Sequence, residues 1–226
     1  MFSEVDELKE RLDSKRPLDE DTLASIEEDL ILRWTYNTNA IEGNTLTLNE
    51  TKVVLEGITI GGKSLREHFE VVNHREAFFW LKDSISKNIE ITIRTIKMFH
   101  YLILKNIMDS EAGRFRIKKV IISGASHTPP EALKVEELMD DLVSTYHDSQ
   151  EHPVLKAAKF HVDFVKIHPS VDGNGRTGRL LLNYALIQNG YLPIIIEASE
   201  KSKYYDYLDI ACAEGDYGPF LTSSPP

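Results

Sequence analysis

The chain has 226 residues, a formal net charge of −10 at pH 7 and a single cysteine, Cys212. That length suits one domain burying about 70% of its unfolded surface, and one cysteine excludes an internal disulfide framework. The acidic balance argues against a nucleic-acid-binding surface, and no apolar run approaches the ~20 residues of a membrane span.

The first residues, Met1 to Glu7, are acidic and lack the basic and apolar regions of a signal peptide, so a cytoplasmic protein is expected. Residues 1–16 predict a short or frayed helix that Pro17 breaks. Asp19 suits the cap of a second helix, with Leu23, Ile26, Leu30 and Trp34 at helical spacing, running toward Ala40 and stopping at Gly43. Thr47-Leu48-Asn49-Glu50 reads as a capping box that opens a short helix to about Glu56.

Gly57-Ile58-Thr59-Ile60-Gly61-Gly62-Lys63-Ser64 matches the pattern G-x-x-x-x-G-K-S. A phosphate-binding P-loop needs a buried strand before it and βαβ units around it. The flanks here are helical, so the stretch reads as an interhelical loop whose Ser64 and Glu67 cap the next helix. That helix spans about 64–87, with Leu65, Phe69, Val72, Phe79 and Ile85 as its core stripe. His68 and His74 lie on it, but no zinc spacing occurs anywhere, so both read as surface or structural histidines. A helix over about 92–107 follows, with Ile93, Ile96, Phe99 and Ile103 inward.

Between Ala112 and Gly124 the helical period breaks, and the run Val120-Ile121-Ile122 predicts a small hairpin. Helices over about 131–148 and 153–167 follow, Pro153 opening the second and Ala157, Phe160, Phe164 and Ile167 facing the core. A helix over about 176–189 carries Leu180, Leu181, Tyr184 and Ile187 and ends at Asn189-Gly190. The last helix, around Lys203 to Ala213, precedes a tail expected to be disordered. The fold class is therefore all-α with one small β-hairpin. The expected divisions are an N-terminal helical segment over 1–45, a main domain over 46–220 and a tail over 221–226.

The chemistry concentrates in one turn, His168-Pro169-Ser170-Val171-Asp172-Gly173-Asn174-Gly175-Arg176-Thr177-Gly178-Arg179. Two glycines let backbone N–H groups face inward at a helix N-terminus, and Arg176 and Arg179 are expected in the first turn beyond it, which together make an anion site. Asp172 is the one carboxylate beside that cradle, suited to a Mg²⁺ riding on phosphates. His168 titrates near neutrality and can take a proton from a hydroxyl. Base, metal ligand and phosphate cradle in one loop point to phosphoryl or nucleotidyl transfer. A calcium loop is not expected, because the twelfth position counted from Asp172 is Asn183 rather than Glu.

This stretch resembles the signature of the Fic (filamentation induced by cAMP) family, H-P-F-x-[D/E]-G-N-G-R-x-x-R, with Ser170 in place of the Phe. The resemblance covers about residues 30–220. It implies AMP transfer from ATP to a Ser, Thr or Tyr hydroxyl of a protein, with His168 as general base and Asp172 holding Mg²⁺. Gly173, Asn174, Gly175, Arg176, Thr177, Gly178 and Arg179 then form the nucleotide cradle, Arg176 toward the β-phosphate and Arg179 toward the γ-phosphate. Thr38-Asn39-Ala40-Ile41-Glu42-Gly43 resembles the family's inhibitory motif, [S/T]-x-x-x-E-[G/N], so Glu42 is expected to pair with Arg179 and lower activity. The hairpin resembles the family's target-binding flap, which places Ser123, Gly124, Ala125 and Ser126 beside the substrate; Glu111-Ala112-Gly113-Arg114-Phe115-Arg116 is its familiar start. Tyr204 and Tyr205 resemble the family's aromatics near the adenine. Many relatives have Asn before Glu-Gly-Asp, where this chain has Cys212-Ala213 before Glu214-Gly215-Asp216.

The family Phe packs under the loop, so Ser170 is expected to leave apolar area unfilled, worth about 3–5 kcal/mol in a core unless neighbours repack. Partners implied are a target protein and the chain itself as a self-modification substrate, with neither nucleic acid nor membrane; a homodimer stays open. Two other readings stand beside adenylyl transfer: removal of AMP with Glu42 positioning water, and a non-enzymatic nucleotide-sensing module.

Overall fold

The computed structural model describes residues 2–122 and 124–222. Ten α-helices make up the described chain: α1 Ser3–Asp13, α2 Glu20–Ile41, α3 Leu48–Leu55, α4 Leu65–Ser86, α5 Ile93–Leu104, α6 Val135–Asp148, α7 Pro153–Ile167, α8 Asn174–Gln188, α9 Lys201–Glu214 and α10 Gly218–Thr222. Their ends follow local chemistry. Asp19 accepts the Thr22 N–H at the start of α2, and Thr47/Glu50 and Ser64/Glu67 form complete capping boxes on α3 and α4. Pro153 sits in the first turn of α7, where its missing N–H costs no helical bond. No described helix is long and apolar enough to cross a membrane.

The main core gathers side chains of α2 and α4–α8, among them Trp34, Phe78, Leu81, Phe99, Ile103, Phe160, Phe164, Leu181 and Tyr184. Within it α7 and α8 lie side by side. Gly178 makes this possible, because a Cβ there would sit 3.2 Å from the His161 ring. A smaller cluster of Ile41, Val162, Tyr204, Leu208, Ala211 and Cys212 joins α9 to α2 and α7.

Four expectations change. Leu23 and Ile26 are exposed: α2 is about 33 Å long at 1.5 Å per residue, and its buried residues begin only at Ile31. Leu65 and Phe79 are also exposed, while Phe69, Val72 and Ile85 are half-buried; the inward face of α4 holds His68, Glu70, Val71, Asn73 and His74 followed by Ala77, Phe78 and Leu81. No strand occurs among the described residues, and 113–122 and 124–130 are irregular chain with isolated turns and bends. The expected hairpin is not seen there: the Arg116 guanidinium takes the carbonyls of Lys118 and Pro130, and Pro129 and Pro130 have no N–H to offer a ladder. Leu221 and Thr222 belong to α10 rather than to a tail; the rest of that expected tail, 223–226, lies outside the described residues.

Candidate active site

The loop between α7 and α8 is built from two left-handed residues. α7 ends on His168 at φ 50°, ψ 59°, and α8 begins after Gly173 at φ 79°. A bend of that sign at each end turns the chain within five residues and points the first amides of α8 back across the loop. No side chain caps α8. The helix starts at Asn174, two residues earlier than expected, so Arg176 lies in its first turn and Arg179 in its second.

Arg116 anchors the near side of this turn. It is buried, its backbone N–H donates to Pro169 O at 2.8 Å, and its Nε donates to His168 O at 2.8 Å. Burial, then the positive charge of Arg116, push the His168 imidazole down to about 4, so it is neutral at pH 7. Ser170 is buried and hydrogen-bonded. Its hydroxyl donates to Arg114 O at 3.0 Å, and its backbone exchanges hydrogen bonds of 2.9 Å with the Asn174 side chain. At the position of the family Phe the loop is thus tied by hydrogen bonds to the Arg114 carbonyl and the Asn174 side chain. The Asn174 side chain thereby serves the loop, leaving its main-chain N–H for the cradle.

At the far side Asp172 meets several donors. Its Oδ1 accepts from Gly173 N–H at 2.6 Å and lies 3.4 Å from Arg176 Nη2, while Oδ2 accepts from Arg66 Nη2 at 2.6 Å. Burial opposes the charge, but Arg176, Arg66 and the Gly173 amide outweigh it and hold the carboxyl below its ordinary value. The Asp172 carbonyl is fixed by His100. Gly113 N–H donates to Nδ1 at 3.0 Å, so the ring proton sits on Nε2 and donates to Asp172 O at 2.8 Å. Burial lowers the His100 pKa, which keeps this neutral tautomer.

The two loop arginines are buried, and each meets a glutamate. Arg179 Nη2 donates to Glu42 Oε1 at 2.7 Å and to Thr38 O at 2.9 Å, and its Nε donates to Thr38 Oγ1 at 2.8 Å. Arg176 Nη1 lies 3.2 Å from Glu70 Oε1. Arg179 Nη1 and the Nε and Nη1 of Arg176 make no hydrogen bond. Buried guanidinium N–H groups without acceptors mark a seat for an anion. Gly175 lines it: a Cβ there would collide with Glu42 Oε1 and stand 3.1 Å from Arg179 Nη1. Gly43, at φ 96°, releases the chain from α2 directly after Glu42.

Thr38, Glu42, His168, Asp172 and the 173–179 run lie at or beside this one loop. Within the run, Thr177 and Gly178 face inward to the helix packing rather than the loop mouth, both being buried on α8. Tyr204 is buried, 5.9 Å from the Arg179 guanidinium and 3.0 Å by its hydroxyl from His161 Nε2, whereas Tyr205 is exposed. In the flap segment Ser123 lies outside the described residues. Ser126 N–H already donates to Asp209 Oδ1 at 2.7 Å, and Gly124 and Ala125 sit in a turn. Sequence reasoning missed Arg66, Glu70 and His100. Arg66 and Glu70 are an i, i+4 pair on α4, but nothing local tells that they reach a loop a hundred residues away.

Residues 90–186 match the family described as Fic/DOC. The protein adenylyltransferase Fic of Drosophila ananassae is 38% identical over 94% of this chain, and that of Drosophila willistoni 40% identical over 82%. The chain belongs to the Fic/DOC family. It spans 44% and 38% of those two relatives, less than half their length. Among solved Fic structures, Fic-1 from C. elegans superimposes with a TM-score of 0.86 at 36% identity, covering 96% of this chain and 65% of that one. A Fic domain containing signaling protein from Bacteroides thetaiotaomicron gives 0.85 at 28% identity, covering 98% and 87%.

Proposed function

We propose that this chain transfers AMP from ATP to a hydroxyl of a protein side chain, and that Glu42 restrains the reaction from Arg179. Residues 1–45 then form the inhibitory segment and 46–220 the catalytic domain. The observation that supports this most directly is Arg179: a buried guanidinium with one nitrogen held by a glutamate and another left without an acceptor beside Gly175. Its Drosophila relatives bear the name of that activity.

His168 accepts the hydroxyl proton at an imidazole nitrogen as the hydroxyl oxygen bonds to the α-phosphorus and the bond to pyrophosphate breaks. Its low pKa leaves the lone pair free before substrate arrives, and the negative charge of the polyphosphate then raises its basicity. Arg176 and Arg179 neutralise the β- and γ-phosphate oxygens, and the amides of Asn174 and Gly175 complete the cradle. Arg116 holds the His168 carbonyl, and so the base, in register with that cradle. Mg²⁺ fits the donor set as well. No group of three or more His, Cys, Asp or Glu could hold a metal among the described residues, and Mg²⁺ characteristically takes one carboxylate, waters and substrate phosphates. Asp172 would hold it, and the ion would neutralise charge building on the leaving pyrophosphate.

The test is labelling of protein, including the chain itself, with ATP carrying radiolabel at the α-phosphate. Glu42→Gly is expected to label at least about tenfold faster than the parent, equivalent to about 1.4 kcal/mol. His168→Ala is expected to abolish labelling in either background. Equal or slower labelling by Glu42→Gly counts against the restraint, and label persisting without His168 counts against the base.

A further inference from the structure

The glycine-rich loop over 57–64 ends in a rigid mount. Ser64 accepts Glu67 N–H, Glu67 reaches back to the amides of Ser64 and Thr45, and Lys63 donates to Thr45 O at 2.6 Å. From this mount Arg66 extends over the active-site loop, its Nε donating to Glu70 Oε1 at 3.1 Å and its Nη2 to Asp172 Oδ2 at 2.6 Å.

The two oxygens of Asp172 differ. Oδ1 is tied to the loop's own amide and faces Arg176, whose side chain is 2% exposed and cannot leave. The cation on Oδ2 is Arg66, whose side chain is 50% exposed and can swing into water. Oδ2 is therefore the oxygen that can change partners.

We propose that Arg66 is a resident cation that occupies the metal-binding oxygen of Asp172 and must leave before a divalent cation coordinates there. The inference rests on the adenylyl-transfer reading above. It makes the nucleotide seat closed at both poles by the chain's own side chains: Glu42 stands where a phosphate oxygen would meet Arg179, and Arg66 stands where a divalent cation would meet Asp172. A guanidinium and a metal ion cannot share the same lone pair, so the arginine raises the metal concentration needed for half-saturation. A half-exposed ion pair makes that a factor of roughly three to five.

The test uses Mn²⁺ as the probe, its free form counted by electron paramagnetic resonance, with α,β-methylene ATP bound to the full chain in a Glu42→Gly background. Adding Arg66→Ala is expected to lower the half-saturating Mn²⁺ concentration roughly three- to fivefold, with affinity for the analogue in EDTA unchanged. Unchanged or weaker Mn²⁺ binding overturns the proposal. So does weaker analogue binding in EDTA, which would make Arg66 a phosphate ligand. Should the alanine variant fail to fold, Arg66→Gln keeps the stem, removes the charge and is read in the same way. If Glu42→Gly alone binds neither analogue nor Mn²⁺, the adenylyl-transfer reading fails; if it binds both and Arg66→Ala changes nothing, only the role of Arg66 does.

Discussion

Two buried arginines on one helix, three residues apart, each face a glutamate from a different element, and the two glutamates differ in exposure. Glu42, at the end of α2, has a side chain 29% exposed, and Thr38 holds Arg179 through two further bonds. Glu70, inside α4, is 7% exposed and also accepts from Arg66 and Asn44. A partner that can reach water leaves its arginine at little cost, while an enclosed one is part of the scaffold. Exposure of the acid, rather than the presence of an ion pair, separates a removable restraint from a structural one.

The sharpest way to break that contrast is to remove the enclosed partner. Glu70→Ala leaves Arg176 buried with only the longer contact to Asp172. The expected loss of stability is about 3–5 kcal/mol, read by urea unfolding. A loss below about 1 kcal/mol would mean that the two glutamates are alike and that burial does not distinguish them.

Acid tests the same scaffold. His74 and His161 are enclosed beside the arginines and pushed down to about 3 and about 4, burial first and the nearby guanidiniums adding to it. A folded-state pKa below the unfolded 6.5 means that the unfolded chain binds the proton more readily. Stability is therefore full above about pH 6.5 and falls as pH drops toward the folded values. At pH 5 each of these histidines removes about 2 kcal/mol, at 1.36 kcal/mol per unit. Asp163, raised by burial, works in the opposite direction and softens the fall. Unfolding midpoints that stay level from pH 7 to pH 5 would show that these rings are not held neutral.

Ser170 sharpens the picture of the loop. With hydrogen bonds where the sequence comparison suggests a hole, Ser170→Phe must displace packed neighbours and strip the Arg114 carbonyl of its donor. A destabilisation of about 1–2 kcal/mol is expected from the melting temperature. A rise in melting temperature would show that the aromatic fits after all.

Much of this architecture was legible in the sequence because helix ends announce themselves. Asp19, Thr47/Glu50, Ser64/Glu67 and Pro153 each mark a start through a side chain acting on its own turn. The loop residues were legible for the same reason: His168 to Arg179 carry their chemistry within twelve consecutive positions. What failed was the apolar stripe of α4. Its inward positions over 68–74 are His68, Glu70, Val71, Asn73 and His74, four of the five polar, and Glu70 reaches the loop through Arg176. A periodicity read from apolar residues then settled on Leu65 and Phe79, which are exposed. The places where the hydrophobic pattern misleads are those where the interior is polar for the sake of the loop. Arg116 behaves likewise, its value lying in carbonyls from four residues distant in sequence or across the turn.

The smallest expected change in stability belongs to Glu42→Gln, and it bears most directly on the contrast between the two acids. Glutamine keeps the shape and an acceptor for Arg179 Nη2, and Thr38 continues to hold the guanidinium, so unfolding in urea is expected to shift by less than about 1 kcal/mol. What the substitution removes is a negative charge beside the seat of a polyphosphate. Repulsion of ATP falls and Arg179 regains an uncompensated charge, so affinity for the nucleotide is expected to rise by a factor of about five to ten, measured by calorimetric titration. Stability and binding should therefore move by unequal amounts at Glu42, whereas at Glu70 both should be lost together. A large loss of stability at Glu42 would place it with Glu70 in the scaffold and remove the physical basis for a releasable restraint.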